Sequence, residues 1–502
     1  MPRAFRISRR QVLLGGAALI ARGIVPVRRA IAGPILARSA SFPTGVLAGD
    51  PRGRGITLLT RVEDVVDGTH VGLVVAADPG FGRVLVQRLV PIPAATAGIS
   101  RIPLRSRDLR PGETYWYRFF TRTNESAIGR FRTLRSADAD GPVRFAYFSC
   151  QAWQAGYFTA HAALAAEPDL DLAMSIGDYI YELTDDTGPP ERVDTIGHDH
   201  DGFAQTFADY RAKYRLYQTD ANLQSMHAAH SFMALWDNHE LADDSPGHLQ
   251  GRPILVPLAE RMENGRRAFW EALPVERAHN DRMGLYRTIR LGTHAELFLL
   301  DTHSYAEEPG RYNTYLSARQ LRWLIDGLVR STATWKLIAS TTVMMGTDLT
   351  PGNPINLNQW DGYPEERRQL MSAILGLGIT GVAVLSGDLH TMIAGQVTTT
   401  GRADGTPAAV DFTSGAITSN GLIEMLGADP SAAPALEAAG LRTNPHMAFL
   451  DLLAKGYGVV EADRSELRIT YRSPRSVLTP QSDTYDRVHF RMSPEAPVVH
   501  VG

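Results

Sequence analysis

The stretch DLAMSIGDYIYE, residues 171–182, sets an apolar run directly against a carboxylate and two tyrosines. Residues 171–176 read as a buried strand that Gly177-Asp178 terminates. Two explanations compete for the polar end of the stretch. Asp178 turns the chain and the tyrosines pack, or Asp178 and Tyr181 face a metal ion. The same grammar recurs three times. VRFAYF (143–148) runs into Ser149-Cys150-Gln151, HSFMALW (230–236) into Asp237-Asn238-His239-Glu240, and GVAVL (381–385) into Ser386-Gly387-Asp388-Leu389-His390. In open α/β sheets, ligands bind beyond the carboxyl ends of the strands. Four such ends would bring sulfur, nitrogen and oxygen donors to one rim, which is the inventory of a metal site.

Taken singly, each motif has a simpler reading. A lone Cys150 is a small buried hydrophobe or a nucleophile. GDYIYE is a turn, and the polar run DNHE is costly only if it is buried without partners. Asp388 and His390, two apart in an extended segment, point to the same side. Four coincidences at one structural position favour the metal reading. Other clusters carry less. GHDHDG (197–202) reads as a solvated loop, and His227 and His230 as helix-packing residues. QWDGYP (359–364) reads as a loop and YRAKYRLY (210–217) as an amphipathic helix.

Outward from these motifs the pattern is layered α/β. Strand-like runs such as AELFLLDTH and WKLIASTTV alternate with helical stretches such as YFTAHAALAAE, FADYRAKYRLYQ and PEERRQLMSAILGLG. GYGVVEADRSELRITYRS reads as a hairpin. Upstream, GITLLTRV, HVGLVVAA and TYWYRFFTRT predict short strands separated by turn residues, a small immunoglobulin-like β-sandwich over 41–135. SADADGP (136–142) reads as the linker to a catalytic domain over 142–502. A length of 502 residues suits two domains with a large core.

A net charge of -3, with no basic run, gives no footprint for nucleic acid. One cysteine excludes a disulfide framework and a multi-cysteine zinc site. At the N-terminus, Arg9 and Arg10 lead into VLLGGAALI, and Ala30-Ile31-Ala32 offers a small-residue cleavage site before Gly33. This resembles a twin-arginine signal over 1–32, which implies export by that machinery to the periplasm or beyond. The alternative is a short membrane anchor, but Arg22 limits its apolar length. No later segment is apolar enough to span a bilayer, so a stable anchor is not expected.

The chemistry of such a rim would be metal-assisted hydrolysis. Asp178 can give one oxygen to each of two metals, spaced roughly 3.5–4 Å apart in dinuclear sites. Cys150 thiolate and Tyr181 phenolate are anionic donors suited to iron(III), with His390 completing the set. Asn238 and Asp388 suit an oxygen-preferring ion: calcium, magnesium or manganese. His239, beside a metal ligand, could stabilise a phosphate or protonate a leaving alkoxide.

Together, FSCQ, GDYIYE, the run 209–240, WDGYPEER and SGDLH closely resemble the PhoD-like alkaline phosphatases, and FPTGVLAGDP (42–51) resembles the start of that family's N-terminal β domain. The resemblance covers residues 41–475. It implies an exported enzyme of the calcineurin-like metallophosphoesterase fold, a mixed-sheet sandwich with flanking helices. It also implies hydrolysis of phosphate monoesters, and often diesters, at alkaline pH, with ferric iron and one or two calcium ions. By position, Cys150, Asp178, Tyr181 and His390 resemble the iron ligands, and Asp178, Asn238 and Asp388 the calcium ligands. His239 resembles the histidine that acts on the phosphate, and Asn238 stands with it at the catalytic position. Two departures stand out. His303 occupies the place of a frequent arginine after Asp301-Thr302, and Asp237-Asn238 replaces a pair of aspartates, with less negative charge. A phosphodiesterase with weak monoesterase activity and an inactive, metal-stabilised binding protein are the competing readings.

Overall fold

The computed structural model describes residues 33–184, 188–189, 191–243, 252–278 and 283–502. The signal segment 1–32, with Arg9 and Arg10, lies outside the described residues. Two large sheets form the frame. The first has ten strands. From one edge, His500–Val501, Thr484–Met492, Leu467–Pro474 and Tyr457–Ala462 lead to Val143–Phe148, Leu172–Ile176 and Phe232–Leu235. Val46–Arg52, Gly55–Arg61 and Ile99–Arg105 complete it. The second has seven: Arg287–Leu291, Ala295–Leu299, Trp335–Ala339, Val382–Ser386, Pro407–Ser414, Met392–Thr398 and Met447–Asp451.

The two sheets pack face to face. Phe145, Tyr147, Val459 and Ile469 of one share a buried cluster with Leu297, Leu337, Leu385 and Phe412 of the other. Polar tips are satisfied across the seam. The Tyr147 hydroxyl donates to the Phe412 carbonyl at 3.0 Å, and the Tyr471 hydroxyl to the Ile393 carbonyl at 2.9 Å. Helices Ser317–Arg330 and Pro364–Gly376 cover the far face of the seven-stranded sheet through Leu321, Leu324, Leu370 and Ile374. Helices Thr159–Ala165 and Ala221–Ala229 cover the ten-stranded sheet. There His227 stands edge-on to Phe232 and bonds the Tyr179 hydroxyl at 2.9 Å, and His230 bonds the Leu164 carbonyl at 2.9 Å. Both histidines are packing residues.

What positions the site is strand direction. Val143–Phe148, Leu172–Ile176 and Phe232–Leu235 run parallel in one sheet. Trp335–Ala339, Val382–Ser386 and Pro407–Ser414 run parallel in the other. Parallel strands emit their carboxyl ends at one rim.

The N-terminal region is a sandwich. A four-stranded sheet, in the order Val84–Pro91, His70–Ala76, Thr114–Phe120 and Gly129–Arg132, packs Leu73, Tyr117 and Phe119 on Ile56, Leu58 and Leu104. Its second layer is not self-contained. Val46–Arg52 adds in parallel to Phe232–Leu235 at the register Phe232–Gly49, so the sandwich continues the ten-stranded sheet. Gly49 makes this junction possible. A Cβ there would stand 2.6 Å from Pro274 Cγ and 2.9 Å from the Phe232 carbonyl.

Helix Phe207–Tyr217 starts with a capping box, Thr206 to Asp209. Its YRAKYRLY face is more buried than an amphipathic surface helix allows. Tyr210, Tyr214 and Tyr217 are fully covered, and so is Lys213. Lys213 Nζ meets Asp194 Oδ2 at 2.5 Å and the Gly202 carbonyl at 2.7 Å, both ion-pair side chains being 0% exposed. GHDHDG itself forms an exposed turn over His198–His200, anchored from beneath by that pair. Removing one member of a buried pair leaves an uncompensated charge. Lys213→Ala is therefore expected to cost about 3–5 kcal/mol in denaturant unfolding, and Lys213→Met with Asp194→Leu to recover most of it.

Candidate metal centre

Four of the strand-end residues predicted to be ligands share an unusual backbone. Cys150, Asp178, Asp388 and His390 all have positive φ, at 59°, 54°, 64° and 56°. Left-handed backbone costs a non-glycine residue about 1–3 kcal/mol and is retained where the surroundings enforce it. At Cys150 and Asp178, hydrogen bonds between their two loops enforce it. The Cys150 amide donates to the Gly177 carbonyl at 3.3 Å, and the Gln151 amide to the Asp178 carbonyl at 3.1 Å. Gly177, with φ 106°, lets two loops touch, since a Cβ there would lie 2.7 Å from the Asp237 Cβ.

The donors converge in two groups that share Asp178. Cys150, Asp178 and His390 each offer an atom within 4.8 Å of the others, and so do Asp178, Asp237 and Asp388. In the first group, Cys150 Sγ is 3.5 Å from Asp178 Oδ2. Tyr181 joins it, its hydroxyl oxygen 3.2 Å from Asp178 Oδ2 and 3.0 Å from His390 Nε2. His390 Nδ1 lies 2.6 Å from the Asn420 carbonyl. It must therefore donate there, which leaves the Nε2 lone pair for the centre. In the second group, Gln359 Nε2 donates to Asp388 Oδ2 and His303 Nε2 abuts Asp237 Oδ1. Asn238 lies beside this group with its Oδ1 buried. That atom, Asp178 Oδ1 and Asp237 Oδ2 meet no hydrogen-bond partner among the described residues.

Orphaned buried oxygens are rare because each costs about 1–3 kcal/mol. The electrostatics agree. Burial pushes Asp178 well above the usual carboxylate range, and Asp237, Glu240 and Asp388 push the same way while His239 pulls it back. Burial, then Asp237, raises Asp388 to about 7. Burial, then Asp178, raises the Cys150 thiol. Burial lowers His390 to about 3 and so keeps its imidazole neutral. Cys150, Asp178 and Asp388 would be ionised, and His390 Nε2 would give its lone pair, if a multivalent cation were bound there. The donor set fits two metals: a thiolate, phenolate, imidazole and carboxylate for one, oxygens alone for the other.

Five side chains that shape the centre are not among the predicted site residues. Asp237 joins the second group and restores the negative charge that Asn238 lacks. His303 backs Asp237, and Gln359 fixes Asp388 from a segment that reads only as a loop, although Trp360–Gly362 is a buried turn. Glu240 and Glu182 act through what they hold. Glu240 closes a capping box on Asp237, a signal present in the spacing D-x-x-E. Its carboxylate also accepts the amides of Asp178 at 3.0 Å, Ile180 at 3.4 Å, Asp237 at 2.7 Å, and Tyr179. Glu182 Oε2 is 2.7 Å from His239 Nδ1, and Tyr181 stacks on the same imidazole at 4.0 Å. This leaves His239 Nε2 for a ligand in the cavity of about 540 Å³ that His239, Asn238, Asp388 and His390 line.

Comparison with known proteins gives a consistent picture. The profile of the PhoD-like phosphatases matches residues 145–471, and that of the PhoD-like phosphatase N-terminal domain matches residues 30–135. Alkaline phosphatase D of Bacillus subtilis (strain 168) is 30% identical over 392 residues, a match spanning 72% of this chain and 66% of that relative's length. A solved structure of PhoD superposes with a TM-score of 0.77 at 25% identity, covering 92% of each chain. The purple acid phosphatase PPD1 from yellow lupin (Lupinus luteus) seeds shares the fold, with a TM-score of 0.55 at 13% identity over 89% of this chain and 74% of its own. Sequence, layered architecture and the clustered strand-end donors lead to one assignment: the chain belongs to the PhoD-like phosphatase family.

Proposed function

We propose that the protein is an exported, metal-dependent phosphatase that hydrolyses phosphate monoesters, and diesters as well, at alkaline pH. The observation that carries this reading is the sharing of Asp178 between two converging donor groups at the floor of an open cavity. Ferric iron is assigned to Cys150, Asp178, Tyr181 and His390. Calcium is assigned to Asp178, Asn238 and Asp388, with Asp237 added. Bound there, the two cations would supply Lewis acidity and a water of lowered pKa. Export rests on the twin-arginine pattern at Arg9 and Arg10. Among the described residues, no helix is long and apolar enough to cross a membrane.

The chain's own contribution centres on His239. Burial disfavours its charge, but Glu182 and then Asp178 outweigh burial and hold its pKa well above the ordinary value. Glu182 fixes the proton on Nδ1. Nε2 is then the nitrogen that delivers a proton to the departing alkoxide. The Glu182 carboxylate favours the protonated imidazole, the form that can serve as the acid. Asn238 and Gln359 line the same cavity and orient the ester.

Purified, metal-loaded protein is expected to turn over an aryl phosphate at alkaline pH, with two metal equivalents by elemental analysis. Full loading without turnover would reject the reading. Tyr181→Phe is expected to abolish the tyrosinate-to-iron charge-transfer absorption while iron stays bound. Asp178→Asn is expected to lower the content of both metals. Glu182→Gln removes the charge that holds the His239 proton, so the alkaline limb of kcat/KM should move to lower pH by about one to two units. His239→Ala should lower kcat by about 10²–10⁴-fold.

A further inference from the structure

The cavity above the metal-binding donors is chemically divided. Its floor holds His239, His303 and His390 beside Asp388. Its lining is also apolar in part: Leu258 and Met262 from helix Leu258–Ala272, Leu422 and Met425 from the short helix Leu422–Met425, with Ile355 and Leu389. At the mouth stand two exposed carboxylates, Glu307 and Glu308. Glu307 is held in place, its side chain accepting the Thr314 amide at 2.9 Å and its carbonyl accepting the Tyr363 hydroxyl. Among the described residues neither carboxylate has a basic partner, and no lysine or arginine lines the cavity. Lys455, whose charge reaches His390, is not part of the lining and donates to the Ser419 carbonyl at 2.6 Å.

Arginine forks are the usual means of binding a second phosphate or a carboxylate. Among the described residues, this cavity is lined by none. An ester whose alcohol carries another anion would set that anion against Glu307 and Glu308, and among the described lining residues no lysine or arginine receives it. An apolar alcohol would instead lose its hydration against leucine, isoleucine and methionine side chains, which is favourable. A cationic alcohol would be drawn to the mouth.

We propose that the cavity selects phosphate esters by the charge of their alcohol. It takes apolar esters whose leaving group is neutral or cationic and turns away those bearing a further phosphate or carboxylate. Glu307 and Glu308 are the residues that set this preference. The inference rests on the proposed phosphatase reaction and narrows its substrate class.

Three aryl phosphates of one shape, with a neutral, a quaternary ammonium or a carboxylate substituent on the ring, test it on the metal-loaded full chain. At low salt, kcat/KM for the neutral and cationic esters should exceed that for the anionic ester by about tenfold, and the ratio should shrink as salt screens the mouth. Glu307→Gln with Glu308→Gln should bring the ratio to within about twofold. Equal rates for the anionic and neutral esters, or a ratio unmoved in the double variant, would overturn the proposal. Calorimetric binding of the three matching aryl phosphonates should give the same ranking without any turnover. If all three esters resist hydrolysis, the reaction is at fault, and the phosphonate ranking still decides whether charge selection stands.

Discussion

A single buried carboxylate holds the site in place. Glu240 is 0% exposed and gathers four backbone amides, those of Asp178, Tyr179, Ile180 and Asp237. Three belong to one strand-end loop and the fourth to the next. Burial outweighs the opposing pull of the amides of Asp237, Tyr179 and Asp178 and leaves the Glu240 pKa at about 7. The spacing between Asp178 and Asp237, and so between the two donor groups, depends on that one side chain. A strained backbone at Asp178 persists because its neighbours are tied on both sides.

The rest of the architecture delivers partners to this point. Parallel strands of the ten-stranded sheet supply Cys150, Asp178 and Asp237-Asn238-His239, and the facing sheet supplies Asp388 and His390. A site built across two sheets is only as rigid as their packing. That packing is an apolar core stitched by tyrosine hydroxyls donating across the seam.

Much of this is legible in the sequence, and the reason is physical. A buried parallel strand is a run of apolar residues, and polar residues crowded just past its end have nowhere to go but a turn or a site. Cys150, Asp178, Tyr181, Asn238, His239, Asp388 and His390 all fall in such places, and the structure brings their side chains together at one rim. Residues that work by holding others are not legible in this way. Glu240 binds amides brought together by folding, and Gln359 reaches Asp388 from 29 positions away. Asp237 is masked because its neighbour Asn238 already explains the motif. The continuation of the N-terminal sandwich into the catalytic sheet is hidden for a similar reason. It depends on one contact, Phe232 beside Gly49, and a glycine in a strand has many possible causes.

The placement of Val143–Phe148 in its sheet bears on how the molecule is made. One flank is Leu172–Ile176, close behind it in the chain, and the other is Tyr457–Ala462, more than three hundred residues later. During synthesis the strand that carries Cys150 therefore waits with a bare edge until nearly the whole polypeptide has emerged. Open strand edges on unfinished chains invite wrong pairing. A frameshift or clip that removes the last tenth of the protein would take away no metal donor, yet it would strip the ribbon that seals the sheet beside the thiol.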